Sequence, residues 1–345
     1  MTLKYRSGRG YARAAPWEET AYLSVGADRN LFYGEFAVEC VSLLAFILFL
    51  IWVCTIKSRT LPLTTIIWAL NCFICSQICV IVPAAMSIAG TEVTMYYVIA
   101  FMIHDFFLVV AICLTFNIFW GFIHRFLGLI RLSGKPHVAV KIIHYLFFTA
   151  ILLLSLAECA LYIATLVGQV TSDYGLEDLG WSRLNGVLYI VYFVLSVEVF
   201  AWSMFVNRKA TAYRSVSSTP ATALVGAAVP WFIVCLTWAV ISIRYRIMDA
   251  YSPPNYLYLI KAVIQLAFWV GTYFGILTCC DQWRALGYEY NNPPPREYPR
   301  QHSPQSTPPS QQYPLVQHPY DVAPYEPYDN STQPPARHSL RASLR

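Results

Sequence analysis

Between Met95 and Phe122 the sequence runs MYYVIAFMIHDFFLVVAICLTFNIFWGF. At about 1.5 Å of rise per residue, these roughly 28 mostly apolar residues cross a hydrocarbon layer of about 30 Å as a single helix. Near the middle His104 and Asp105 stand side by side. A charge at that depth costs about 2.5 kcal/mol or more unless it faces protein or water. Such a helix belongs inside a bundle, and the rest of the chain has to supply the other members.

It does so with further apolar runs of membrane length at 33–56, 63–88, 142–167, 184–206, 221–243 and 256–278, the central run being counted as 95–120. The residues are 57% hydrophobic and 12% charged, against about 25% charged in soluble domains. The expected fold is an all-α integral membrane protein, a seven-transmembrane-helix bundle. Pro83 marks a kink near the far end of span two. Small residues before Pro230 (Ala223, Gly226, Ala227, Ala228) and Gly271-x-x-x-Gly275 in span seven read as close-packing faces. No apolar stretch directly follows Lys4, Arg6, Arg9 and Arg13, so span one is expected to act as its own insertion signal. No internal repeat is visible, which speaks against a repeat-built transporter.

The segments between spans carry their own signals. FIHRFLGLIRLSGKPH alternates Arg125, Arg131 and Lys135 with Phe and Leu and reads as an interfacial extension. QVTSDYGLEDLGWSRLNG reads as an acidic loop with Trp181 as an interface anchor. The ten cysteines lie in spans or at their ends, so a secreted type of disulfide framework is not expected. Cys72, Cys75 and Cys79 share zinc-ligand spacing, but in an apolar span they read as packing residues.

Charge sets the expected orientation. Lys57, Arg59, Arg125, Arg131, Lys135, Lys141, Arg208, Lys209, Arg214 and Arg284 fall on one side of the layer, ten bases against the four (Arg29, Arg183, Arg244, Arg246) on the other. The richer side is read as cytoplasmic, with the N-terminus outside and the C-terminus inside a plasma membrane or endomembrane. Residues 1–32 then form an extracellular or lumenal segment, 33–280 the helical domain, and 281–345 a cytoplasmic tail. Because these bases are spread over short loops, the net charge of +5 implies no nucleic-acid partner.

Several ionisable groups lie within the spans. Taking about 1.5 Å per residue, Glu39 lies roughly 9 Å and Lys261 roughly 8 Å below the outer face. The first and last spans adjoin in a closed ring, so the two can form an ion pair; separate snorkelling to the interface is the alternative. Asp105 lies roughly 15 Å deep, with Gln265 of span seven at roughly 14 Å. Glu158 sits in the outer half of span four, and Glu198 of span five lies nearer the cytoplasm. The expectation is that His104 and Asp105 face a cavity with Glu158 and Gln265 near them, as a ligand site or a proton path. The structural alternative is a carboxyl group hydrogen-bonded to a neighbour such as Tyr162 or Gln265.

Seven spans with an outside N-terminus resemble the layout of G-protein-coupled receptors over residues 33–280, in topology alone. Span three ends in Ile123-His124-Arg125 where rhodopsin-like receptors carry Asp/Glu-Arg-Tyr, and span seven reads GTYFGILTCC in place of Asn-Pro-x-x-Tyr. Span six has Val234-Cys235-Leu236-Thr237, not Cys-Trp-x-Pro. A retinal protein needs a deep lysine in its last span, and Lys261 is shallow; seven-span zinc hydrolases need histidines there, and span seven has none. His124 and His144 can approach each other at the ends of spans three and four, where interfacial histidines are commoner than haem ligands. No cofactor and no enzymatic activity are expected.

The tail holds short regulatory patterns. Cys279-Cys280 at the membrane exit are palmitoylation candidates. Tyr313-Pro-Leu-Val316 fits a sorting signal read by adaptors, and Ser303, Thr307, Ser339 and Ser343 lie in kinase-type contexts. Repeated Pro-Tyr pairs suit modules that read polyproline. The expected function is receptor-like sensing of a small ligand in the outer half of the bundle, with a regulatory tail. The alternatives are a proton-coupled transporter using the intramembrane carboxylates and a non-catalytic membrane organiser.

Overall fold

A computed structural model of the chain describes residues 20–22, 29–56, 61–129, 136–171, 177–212, 218–248 and 254–291. Within them lie seven helices long and apolar enough to cross a membrane. They are α1 (Arg29–Thr55), α2 (Leu63–Ala89), α3 (Val98–Leu129), α4 (Pro136–Thr171), α5 (Glu177–Ala212), α6 (Thr219–Ser242) and α7 (Asn255–Asn291). This is an all-α, multi-pass membrane protein. Helices are the natural form for such sequences, because hydrocarbon offers nothing to an unpaired N–H or C=O and a helix pairs both within one segment.

The helices pack in chain order, and α7 closes back on α1. α3 leans inward far enough to touch α5 and α6 as well. Leu48, Trp68 and Leu153 each leave more than half of their surface uncovered on the outside of the ring, where lipid would lie. The inside is aromatic. Phe46 of α1 stacks on Phe73 of α2 at 4.8 Å, and Phe73 meets Trp269 of α7 at the same centroid distance. Trp269 meets Trp238, Trp238 meets Trp231, and Trp231 meets Phe116 of α3 edge-on at 5.3 Å. Tyr273 of α7 shares a 2.8 Å hydrogen bond with Thr115 of α3 and so ties opposite sides of the ring together.

Several elements extend beyond their expected limits. α4 starts at Pro136 rather than 142, α5 at Glu177 rather than 184, and α7 continues to Asn291 rather than ending near 278. Hydropathy marks the part of a helix that suits lipid, whereas hydrogen bonding carries the helix on into the aqueous interface. α3 likewise runs unbroken through Arg125 to Leu129; Arg131 and Lys135 lie outside the described residues. Two short strands, β1 (Thr20–Tyr22) and β2 (Glu92–Thr94), pair antiparallel with Ala21 opposite Val93. Gly90, at φ 64°, closes α2 in the left-handed conformation that a side chain disfavours.

The small-residue faces meet as expected. A Cβ placed on Gly275 would come within 2.7 Å of the Ala227 backbone nitrogen, and one on Gly271 within 3.3 Å of Pro230. α6 and α7 therefore touch backbone to backbone. Gly226, one position from Ala227, has nothing within 4 Å of its missing Cβ. Gly275→Ala is expected to cost about 1–3 kcal/mol through overpacking. Gly226→Ala should be neutral or slightly stabilising, since Ala is the better helix former. Thermal unfolding of both variants in detergent checks the pair, and equal behaviour would contradict the contact.

Candidate functional site

At the end of the bundle where α1 begins, here the N-terminal face, a cavity of about 320 Å³ lies among α1, α2, α3 and α7. α1 contributes Glu35 and Glu39, one helical turn apart and therefore on one face. Ser87 of α2 also lines the cavity; it is 2% exposed and its hydroxyl has no hydrogen-bond partner. Much of the remaining wall is aromatic. Glu39 faces Gln77 of α2, a buried side chain whose Oε1 has no partner. Lys261 of α7 lies in the electrostatic field of both glutamates. The Glu39–Lys261 ion pair that adjacency of the two helices allows is absent: among the described residues the ion pairs are His144–Glu198 and Arg284–Asp281. The chain order correctly places α1 beside α7, but Glu39 is turned toward α2.

His104 and Asp105 part company. Successive helical residues point about 100° apart, and here the two side chains meet different neighbours. His104 Nδ1 lies 3.0 Å from the Ser76 carbonyl and 2.8 Å from its hydroxyl, which binds α3 to α2. A carbonyl only accepts, so Nδ1 carries the proton. Asp105 instead lies within the electrostatic reach of Glu158, with Cys159 hydrogen-bonded to it and Oδ2 enclosed without a hydrogen-bond partner. Gln265 does not complete this group: among the described residues no hydrogen bond joins it to Asp105. α7 packs chiefly against α1 and α6.

Glu158 is 1% exposed and is held by long-range donors. Its Oε1 accepts from Trp181 Nε1 at 2.8 Å and from Asn185 Nδ2. Asn185 Oδ1 in turn accepts from the Arg246 guanidinium, which lies 5.2 Å over the Trp181 ring and 5.8 Å from that of Tyr189. Arg246 sits in a π-type turn (Ile243–Ile247) that continues α6. It was expected in a loop, and Trp181 was expected as a loop anchor at the interface; both belong to helices and reach this cluster. A π turn widens the helix and re-aims its side chains, a recurrent device at functional sites.

Glu198 belongs to a different group near the other end. His144, 3% exposed, lies 2.6 Å from Glu198 Oε1 through Nε2 and 3.0 Å from His124 Nε2 through Nδ1. Trp120 Nε1 donates to the second carboxylate oxygen at 2.9 Å, and its ring stacks on His144 at 5.3 Å. Because the carboxylate accepts, His144 Nε2 carries a proton, and His124 then donates to His144 Nδ1. A small cavity of about 70 Å³ adjoins the pair, with Lys141 and Tyr145 on its wall. Between the carboxylate groups, Ser155 and Tyr192 share a 2.6 Å hydrogen bond.

Cys279 and Cys280 are both fully buried in the core, which corrects their reading as acylation sites: neither thiol reaches the surface. Tyr313, Val316, Ser303, Thr307, Ser339 and Ser343 lie outside the described residues. Glu35, Ser87, Asn185 and Arg246 escaped the sequence reading. For Glu35 the one-turn spacing to Glu39 was the available signal; for the others only the folded contacts reveal the role.

Glu198→Ala would orphan two donors, Trp120 Nε1 and His144 Nε2, at about 1–3 kcal/mol each. Glu198→Gln keeps an acceptor and should lose less. Thermal unfolding in detergent is expected to rank wild type above Gln above Ala; Ala equal to wild type would deny the network. No family model matches the sequence, and no curated protein or solved structure shows significant similarity to it, so geometry alone carries the functional reading.

Proposed function

We propose that this is a receptor-like seven-helix membrane protein that senses a small ligand in the N-terminal-face cavity and does no chemistry on it. The single observation that carries the reading is that cavity. At about 320 Å³ it falls in the range of roughly 300–1,000 Å³ common for small-molecule sites, and it joins an apolar wall to a few polar groups. The helices around it reach the aromatic core below through Phe46, Phe73 and Trp269, and α6 touches that core at Trp238. A ligand that shifts α1 or α7 would therefore also move α6. In this reading the N-terminus is outside, and the chain beyond α7 is a cytoplasmic tail whose phosphorylation and adaptor binding report occupancy.

One observation favours a second reading, a proton-coupled transporter. The Ser155–Tyr192 hydrogen bond stands between the Asp105–Glu158 cluster and the Glu198–His144 cluster. Phe116 and Trp231 pack the same level with fully buried rings, which favours sensing over passage.

Epitope tags at the two ends, probed in intact cells, should reveal the N-terminal tag without permeabilisation and the C-terminal tag only after it. A C-terminal tag stained from outside would invert the orientation. Reconstituted protein should show no proton-driven flux with the Asp105, Glu158 and Glu198 side chains intact. Flux abolished by Asp105→Asn would establish the transporter reading instead.

A further inference from the structure

We propose that the N-terminal-face cavity takes a small organic cation, an alkylammonium with an apolar body; this rests on the ligand-sensing reading above and names its ligand class. Charge comes first. Glu35 and Glu39 both line the cavity, whereas Lys261, the α7 cation in their field, is not among the lining residues and forms no ion pair with either. Two carboxyl side chains and no basic side chain therefore line the wall, and among the described residues neither is in a salt bridge. An anionic ligand such as a fatty carboxylate would face both.

The walls argue for an organic rather than a bare cation. Phe32, Phe36, Phe101 and Tyr258 line the same space. Aromatic faces attract cations through their quadrupole, and aromatic walls with carboxylates are the usual means of holding alkylated ammonium groups. A calcium ion takes about six to eight oxygen ligands, and two carboxylates with one hydroxyl fall short of that set. Val80, Ile81 and Ala84 of α2 supply apolar surface for the ligand body.

Ser87 is the independent sign that something polar belongs there. Its hydroxyl is 2% exposed, lines the cavity and has no hydrogen-bond partner. Helical serines elsewhere in this bundle, such as Ser42 and Ser203, satisfy themselves on the carbonyl one turn back. A buried hydroxyl left unpaired is costly, and a ligand donor or a water carried in with it would satisfy the oxygen.

The test uses full-length protein in nanodiscs of zwitterionic lipid and three probes of equal chain length: hexyltrimethylammonium, hexanol and hexanoate. Binding is read by calorimetry and by the shift of thermal unfolding. The ammonium should bind at least tenfold more tightly than either of the others. Glu35→Gln/Glu39→Gln should reduce its affinity at least tenfold, and Glu35→Asp/Glu39→Asp should retain most of it. Equal binding of hexanol, tighter binding of hexanoate, or no binding of the ammonium would overturn the proposal. If the Gln variant does not fold, the comparison of probes on wild type still decides. Tail phosphorylation measured in cells separates the two claims. Ammonium binding without a tail response leaves the cation site standing and sinks the sensing reading; a tail response to hexanol with equal binding does the reverse.

Discussion

Hydrocarbon cannot repair an unpaired polar group, and this bundle is arranged around that fact. Glu158, 1% exposed, would be prohibitive without Trp181 and Asn185, and Arg246 is held through Asn185 and two aromatic rings. The same requirement holds His144 between Glu198 and His124, and His104 against Ser76. Each of these contacts joins two helices and so restrains the rotation of one against the other. Apolar contacts alone would tolerate several rotations, because lipid and leucine are nearly equivalent surroundings.

Between these polar ties the bundle is held by shape. The α6–α7 contact at Gly275 and Ala227 allows the backbones to touch, and the continuous run of rings from Phe46 to Phe116 fills the centre. Close-packed rings shift together or not at all, since interiors at crystal-like density have little free space. The carboxylates fall into groups at different levels, the Glu158 cluster and the Glu198 cluster, with Ser155 and Tyr192 between them.

Much of the architecture was legible in the linear chain. Seven apolar runs predicted seven helices, and the small residues around Pro230 and Gly271 predicted where two of them touch. The approach of His124 and His144 was legible too, because both fall at the same ends of consecutive antiparallel spans. The site was less legible. Treating His104 and Asp105 as one unit ignored the helical rotation between neighbours. Reading Cys279 and Cys280 as exposed followed from where hydropathy falls, whereas α7 continues through them as part of the core.

Composition and periodicity thus determined that this chain is a membrane bundle, how many helices it has and at what depth each ionisable residue lies, because hydrophobic length and rise per residue are local properties. Only the tertiary structure decided the partners: Glu158 with Trp181 and Asn185, Glu198 with His144, and Glu35 and Glu39 with a cavity rather than with Lys261. Partnership depends on the rotation of each helix about its own axis. That rotation is set by contacts between residues far apart in the chain, which no single span encodes.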